Sequence, residues 1–469
     1  MRPPAATLLL ALIASCTHSS PPPSQAEAAD DATRAARSSL DERIARLRDD
    51  ALASHAALDF IRDLTRDVGA RPAGSSNDAK AVAWAEKRLV AEGFASVHRE
   101  IVTVKHWERG PAAGAILAAK GKKLPLELLA LGGSAATPAG GVDAEVVRAS
   151  SLAEAEALGP NALAGKVLFL DVPTARDRDG SGYGRSWSSR VLGSQVAADR
   201  GAAALIVRSL ATDSSLPHTG NTHSRTLASV AVSGASADLL RDTLKQDPKA
   251  KVHLEVAART SPDAESANVV GEIRGRERPD EVVLLGAHLD SWDVGEGATD
   301  DAAGCAIVTQ AARLLAKHAP RRTVRVVLFA AEEIGAMGGA AYARTHANEV
   351  EHIVLAMEAD AGEGRVLGFR AHVPPARAVP VARIASFLAP LGIEAWPGEL
   401  EDGGADVQPL QDKGVPVVRL HQNMNAYFDV HHAKSDVFTH IDPSALPQVV
   451  AAYAITAYAA AELDAPSRR

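Results

Sequence analysis

Residues 281–301 read EVVLLGAHLDSWDVGEGATDD, and this stretch constrains the chain more than any other. Val282 to Leu285 is an apolar run with the length and composition of a buried strand. His288 and Asp290 follow at its C-terminal end, and a Gly-rich loop leads to Asp300 and Asp301. Ala302 to Lys317 then reads as a helix. In α/β folds, sites lie beyond the carboxyl ends of strands. The polar residues are therefore placed where chemistry is usually done.

The same arrangement recurs downstream. Glu332-Glu333 follows VVLFAA, Asp360 follows VLAMEA, and His431-His432 precedes Asp436. An adjacent acidic pair is usually a solvated face. Four acidic or histidine clusters after apolar runs, with the histidine pair as a fifth element, are harder to explain that way. Buried together, such carboxylates repel unless a cation neutralises them. Histidine nitrogen and carboxylate oxygen suit zinc and similar divalent ions. Two metals about 3.5–4 Å apart need a bridging carboxylate and about two further ligands each. The clusters supply that number and leave one glutamate over as a base.

At 469 residues the chain is long enough for two or more domains. Its net charge is -8 with no basic block, so nothing points to nucleic acid. Arg2 precedes an apolar run from Ala6 to Ala14, then Ser15-Cys16. Residues 1–16 read as a signal peptide too short to span a bilayer. Ile13-Ala14-Ser15-Cys16 resembles a bacterial lipoprotein cleavage box, which implies a lipid anchor through Cys16 and a periplasmic or cell-surface location. The alternative is a secreted protein with an incidental cysteine. Residues 17–38 read as a flexible tether. Cys305, the other cysteine, reads as a small buried apolar residue, so no disulfide framework is expected.

Leu40, Ile44, Leu47 and Ala51 have helical spacing, and Ala57 to Val68 and Asn77 to Glu92 read as two more helices. The turn Ala70 to Ser75 lies between them, and Val97 to Val104 alternates as a strand. His106-Trp107-Glu108-Arg109-Gly110 is an unusual cluster that reads as a packed loop. Gly133 to Gly141 reads as a linker. It opens a separate block, 136–260, of short strands with no convergent acidic set. His218 and His223 read as ordinary loop histidines there. From 261 onwards, strands and helices alternate, which argues for a three-layer α/β sheet with helices on both faces. No internal repeat and no transmembrane segment are found.

HLDSWDVGEGATDD, FAAEEIG, MEADAG, HHAKSD, HWERG and VRSLATDSSLPHTG together carry a resemblance. The chain resembles the co-catalytic zinc metallopeptidases that include secreted bacterial aminopeptidases and glutamate carboxypeptidase, most of all their carboxypeptidase Q group. The similarity runs from about Leu58 to the C-terminus. It implies a mixed-sheet catalytic domain built from 39–135 and 261–469, interrupted by a protease-associated (PA) domain at 136–260. It implies two Zn2+ per chain. His288 and Asp360 would hold one ion, Glu333 and His432 the other, and Asp300 would bridge them. Glu332 would be the general base and Asp290 would orient His288. His432 rather than His431 is implied because Asp436 satisfies the family spacing from it. A cis peptide is implied at Asp300–Asp301. Val437 departs from the family, where threonine is common. Asp406 and Tyr427 are candidate pocket residues. The implied function is hydrolysis of dipeptides or short peptides, and the implied assembly is a homodimer. Three alternatives stand beside it: a broad aminopeptidase, a non-catalytic receptor-like protein, and a single-zinc glutaminyl cyclase.

Overall fold

The computed structural model describes residues 25–213 and 215–464. The signal peptide expected at 1–16, with Cys16, lies outside the described residues. Part of the expected tether is helical, because Gln25–Leu52 forms one helix rich in Ala, Asp and Arg. Ala and Arg are strong helix formers. The chain divides into two compact units, Met1–Arg43 and Ile44–Arg469. The second holds both sheets and every candidate site residue. No helix among the described residues is long and apolar enough to cross a membrane.

The first sheet has eight strands. At its centre Arg322–Phe329, Arg278–His288, Ile353–Glu358 and Val417–Gln422 run parallel. Their carboxyl ends therefore share one edge. Arg259–Ile273 and then Ala95–Glu108 add antiparallel strands on one side. Val366–His372 adds one on the other, with Glu394–Ala395 beyond it. The sheet is mixed, as expected. Val283 to His288 is buried throughout, as a parallel strand covered on both faces must be. Successive strand side chains point to opposite faces. Val282 and Leu284 pack with Tyr342 and Ala343 of the Met337–Thr345 helix. The Ala303–Ala316 and Leu446–Glu462 helices pack on each other and on the same Arg278–His288 strand.

The second sheet also has eight strands, in the order Lys123–Pro125, Ala112–Leu117, Lys251–Val256, Val142–Ala149, Val167–Leu170, Ala204–Arg208, Ala228–Val232 and Leu128–Ala130. It begins at Ala112 rather than at 136, so the expected linker lies inside it. The reason is long-range pairing: Ala112–Leu117 joins antiparallel to Lys251–Val256. Ser261 to Asn268 reads in the sequence as a lead out of the block, but it lies within Arg259–Ile273, a 15-residue strand of the first sheet. Its polar first half pairs with Ala95–Glu108 and its apolar second half also reaches Arg322–Phe329.

Candidate metal centre

The parallel strands deliver their polar ends to one place. His288 ends the Arg278–His288 strand, Glu332 and Glu333 follow Arg322–Phe329, and Asp360 follows Ile353–Glu358. Asp300 arrives on the loop before the Ala303–Ala316 helix, and the Asp300–Asp301 peptide is cis, as the resemblance implied. His432 arrives on a loop with φ +60°. Ala331, just before the glutamate pair, has φ +57°. Non-glycine residues in the left-handed region persist where surrounding structure over-determines them, and they concentrate at functional sites.

Asp300 is the hub. Its Oδ1 lies 3.1 Å from Nε2 of His288, which is itself 3.7 Å from Asp360 Oδ1. Its Oδ2 lies 3.3 Å from Nε2 of His432, which is 2.9 Å from Glu333 Oε2. One carboxylate oxygen thus faces each half of the cluster. The five residues His288, Asp300, Glu333, Asp360 and His432 converge. His431 converges with them: its Nε2 is 3.5 Å from Asp300 Oδ2, and its ring stacks on His432 at 3.6 Å. The adjacency of the two histidines leaves both imidazoles at the cluster.

Supporting contacts come from four directions. Asp290 accepts from the backbone N–H of Glu332 (3.0 Å) and of Glu333 (3.4 Å), and its Oδ1 is 3.6 Å from Nδ1 of His288. It therefore braces both halves at once. Asp436 accepts from the N–H of Thr299 (2.6 Å) and of Asp300 (3.2 Å), so it holds the hub. Arg190, from the Ser181–Val191 helix, donates to Thr219 O (2.9 Å) and to Nδ1 of His432 (2.8 Å). Arg71, fully buried, donates to the carbonyls of Leu289, Glu296 (2.8 Å) and Gly297 (2.9 Å), tying down the loop that carries Asp300. Cys305 is buried, as expected, and donates to His288 O.

The electrostatics are those of a site short of positive charge. Burial pushes the carboxyls of Asp301, Glu332 and Glu333 upward, with neighbouring carboxylates adding to it. Burial also pushes Asp436 up to about 7. Burial alone would lower His288, but Asp290, Asp300 and Asp360 hold it well above the ordinary range. Asp300 goes the other way: burial opposes its charge, and His288 and His432 overcome that. Buried oxygens Asp300 Oδ2 and Glu333 Oε1 make no hydrogen bond among the described residues. Unsatisfied buried acceptors flanked by imidazoles are what cation ligands look like before a cation is considered. Two groups able to hold an ion share Asp300: His288–Asp300–Asp360 and Asp300–His431–His432.

Three expectations need correction. His218 is a buried residue rather than an ordinary loop histidine: its Nδ1 accepts from Leu210 N–H at 2.9 Å, and burial pushes it well down. Asp406 is fully buried behind the cluster, where it accepts from Gly339 N–H at 3.0 Å. It does not line the cavity formed by Asp402, Gly403 and Gly404, although Tyr427 lines a neighbouring one of about 570 Å³. The HWERG segment is not a loop: His106, Trp107 and Glu108 close the Ala95–Glu108 strand. Arg71 and Arg190 carried no periodic or pairwise signal that would have singled them out, whereas His431 stood out only as the neighbour of His432.

Comparison with known proteins gives a consistent picture. The sequence profile of Peptidase family M28 matches residues 268–457. Carboxypeptidase Q of Mus musculus is 34% identical over 409 residues, covering 86% of this chain and 84% of the relative. The crystal structure of a Peptidase M28 precursor from Shewanella amazonensis SB2B has a TM-score of 0.88 at 40% identity, covering 92% of this chain and 98% of that one. A zinc aminopeptidase from Bacillus subtilis shares the fold, with TM-score 0.62 at 18% identity over 87% of this chain and 95% of its own.

Proposed function

This chain belongs to peptidase family M28 and is a zinc metallopeptidase, and from that premise we propose a di-zinc exopeptidase that hydrolyses dipeptides or short peptides. The observation that carries the reading is the hub: Asp300 turns one oxygen to His288 and Asp360 and the other to His432 and Glu333. In this reading His288 and Asp360 hold one ion, His432 and Glu333 the other, and Asp300 both. Bound there, zinc supplies Lewis acidity, which polarises the scissile carbonyl and makes water more acidic.

The chain's own residues do the rest. Glu332 takes the proton of the attacking water and returns it to the leaving amine. Its backbone is held by Asp290, so its carboxylate projects from a fixed point. Asp290 also orients His288, and Asp436 and Arg71 hold the loop bearing Asp300. The second sheet, which we assign to a PA domain, reaches the centre through Arg190. Homodimerisation, export and lipidation of Cys16 belong to the same proposal and rest on the resemblance and on residues 1–16.

The test is metal content together with a substrate panel. Two zinc ions per chain and cleavage of dipeptides are expected, with activity lost on chelation and restored by zinc. No metal would favour the receptor-like alternative. One zinc with N-terminal cyclisation would favour the cyclase.

A further inference from the structure

The HWERG segment is not used by the chemistry above, yet it builds a cavity against the centre. The cavity holds about 290 Å³ and is lined by Trp107, Arg109, Trp292, Asp293, Ser75 and Glu333 among others. The two indoles meet edge to face with centroids 6.4 Å apart. Trp292 continues to the centre, with its ring 6.0 Å from that of His432. Glu333 belongs both to this wall and to the cluster, so the cavity opens directly off the reacting groups.

Its charges are already matched. Arg109 pairs with Asp293 at 2.6 Å, Lys105 with Asp263 at 2.8 Å, and Glu108 with Arg259 at 2.6 Å. Arg109 also lies over the Trp107 ring, 5.0 Å from its centroid. Away from Glu333, which belongs to the centre, a charged ligand group would meet no unpaired counter-charge at these pairs, whereas the indoles offer apolar area.

We propose that this cavity is a substrate subsite, taking one residue beside the scissile bond with a large apolar or aromatic side chain against Trp107 and Trp292. The assignment rests on the peptidase reading of the centre and names its substrate class. The volume suits one amino-acid residue and excludes a long peptide. A ring placed edge to face with an indole gains beyond its buried area.

The experiment uses zinc-loaded Glu332→Gln protein, titrated by calorimetry with Ala-Phe, Phe-Ala, Ala-Leu, Leu-Ala, Ala-Gly and Gly-Ala. At one of the two positions, Phe or Leu should bind at least tenfold tighter than Gly. Adding Trp107→Ala should erase that preference and leave the other position unchanged. A preference that survives Trp107→Ala, or none at either position, overturns the assignment. Trp107 and Trp292 are among only five tryptophans. Saturable change in intrinsic fluorescence with the preferred dipeptide is therefore expected without mutating Trp107, and its absence also overturns the subsite. If the unmutated enzyme cleaves no peptide while this binding holds, the peptidase reading fails and the subsite stands. If it cleaves peptides with no dependence on Trp107, the reverse holds.

Discussion

Two buried aspartates, one in each sheet, sit beside the ends of parallel strands and meet opposite fates. Asp171 follows Val167–Leu170 in the second sheet, and both of its oxygens are taken by arginine: Arg148 at 2.7 Å and Arg208 at 2.6 Å. Asp300 lies at the strand ends of the first sheet; among the described residues its side-chain oxygens face imidazoles and pair with no arginine or lysine, and Oδ2 makes no hydrogen bond. Its neighbours Glu333, Asp360, Asp290 and Asp301 are acids as well. Position in the fold is similar, but the counter-charge differs. Where the chain supplies its own cations, the carboxylate is part of the scaffold. Where it supplies acids and histidines only, the balance must come from outside the chain. A strand-end carboxylate thus marks a metal centre only when no arginine or lysine answers it.

That contrast can be broken at several points. The largest expected effect is on chemistry. Glu332→Gln should lower kcat by about 10²–10⁴-fold while metal analysis still finds zinc at the unmutated level. Near-normal turnover would remove Glu332 from its role. Next comes the scaffold aspartate. Asp171→Asn should cost about 3 kcal/mol in urea unfolding, because the buried Arg208 loses its buried carboxylate and keeps only Asp238, whose side chain is 51% exposed. Zinc content should not change, and a zinc loss would abolish the distinction between the two sheets. Asp290→Asn should weaken zinc binding by roughly 10–100-fold, measured by competition with a chelator, since it braces both halves. Unchanged affinity would show that the backbone alone holds the centre. The smallest effect belongs to Arg148, whose side chain is 37% exposed. Arg148→Ala should cost about 1 kcal/mol or less, leaving Arg208 to hold Asp171. A loss as large as that of Asp171→Asn would mean that the exposed arginine, not the buried one, neutralises the site.

Much of this was legible along the chain. Val282–Leu285 and Val326–Phe329 are short, apolar and followed within a few residues by histidine or acids, so strand, edge and candidate ligands could be read together. The helix Ala303–Ala316 is apolar on nearly every side and stood out for the same reason. Arg259–Ile273 was missed because its first half is Ser, Pro, Asp and Glu at a half-exposed pairing, which looks like connection. Ala112–Leu117 fell inside the first catalytic part, 39–135, and was not read as a strand; its partner lies well over a hundred residues away.

The amino-acid order determined which groups exist and that strands would carry them to a common edge, because burial of apolar runs is a local property with a clear period. It did not determine which carboxylate each cation answers. Asp171 finds Arg208 37 residues on, and Arg190 reaches His432 across 242. Charge pairing acts through space and falls with distance between atoms, not between positions in the chain. Only the folded arrangement therefore decided that Asp171 is spent on arginine and that Asp300 keeps an oxygen for each side of the centre.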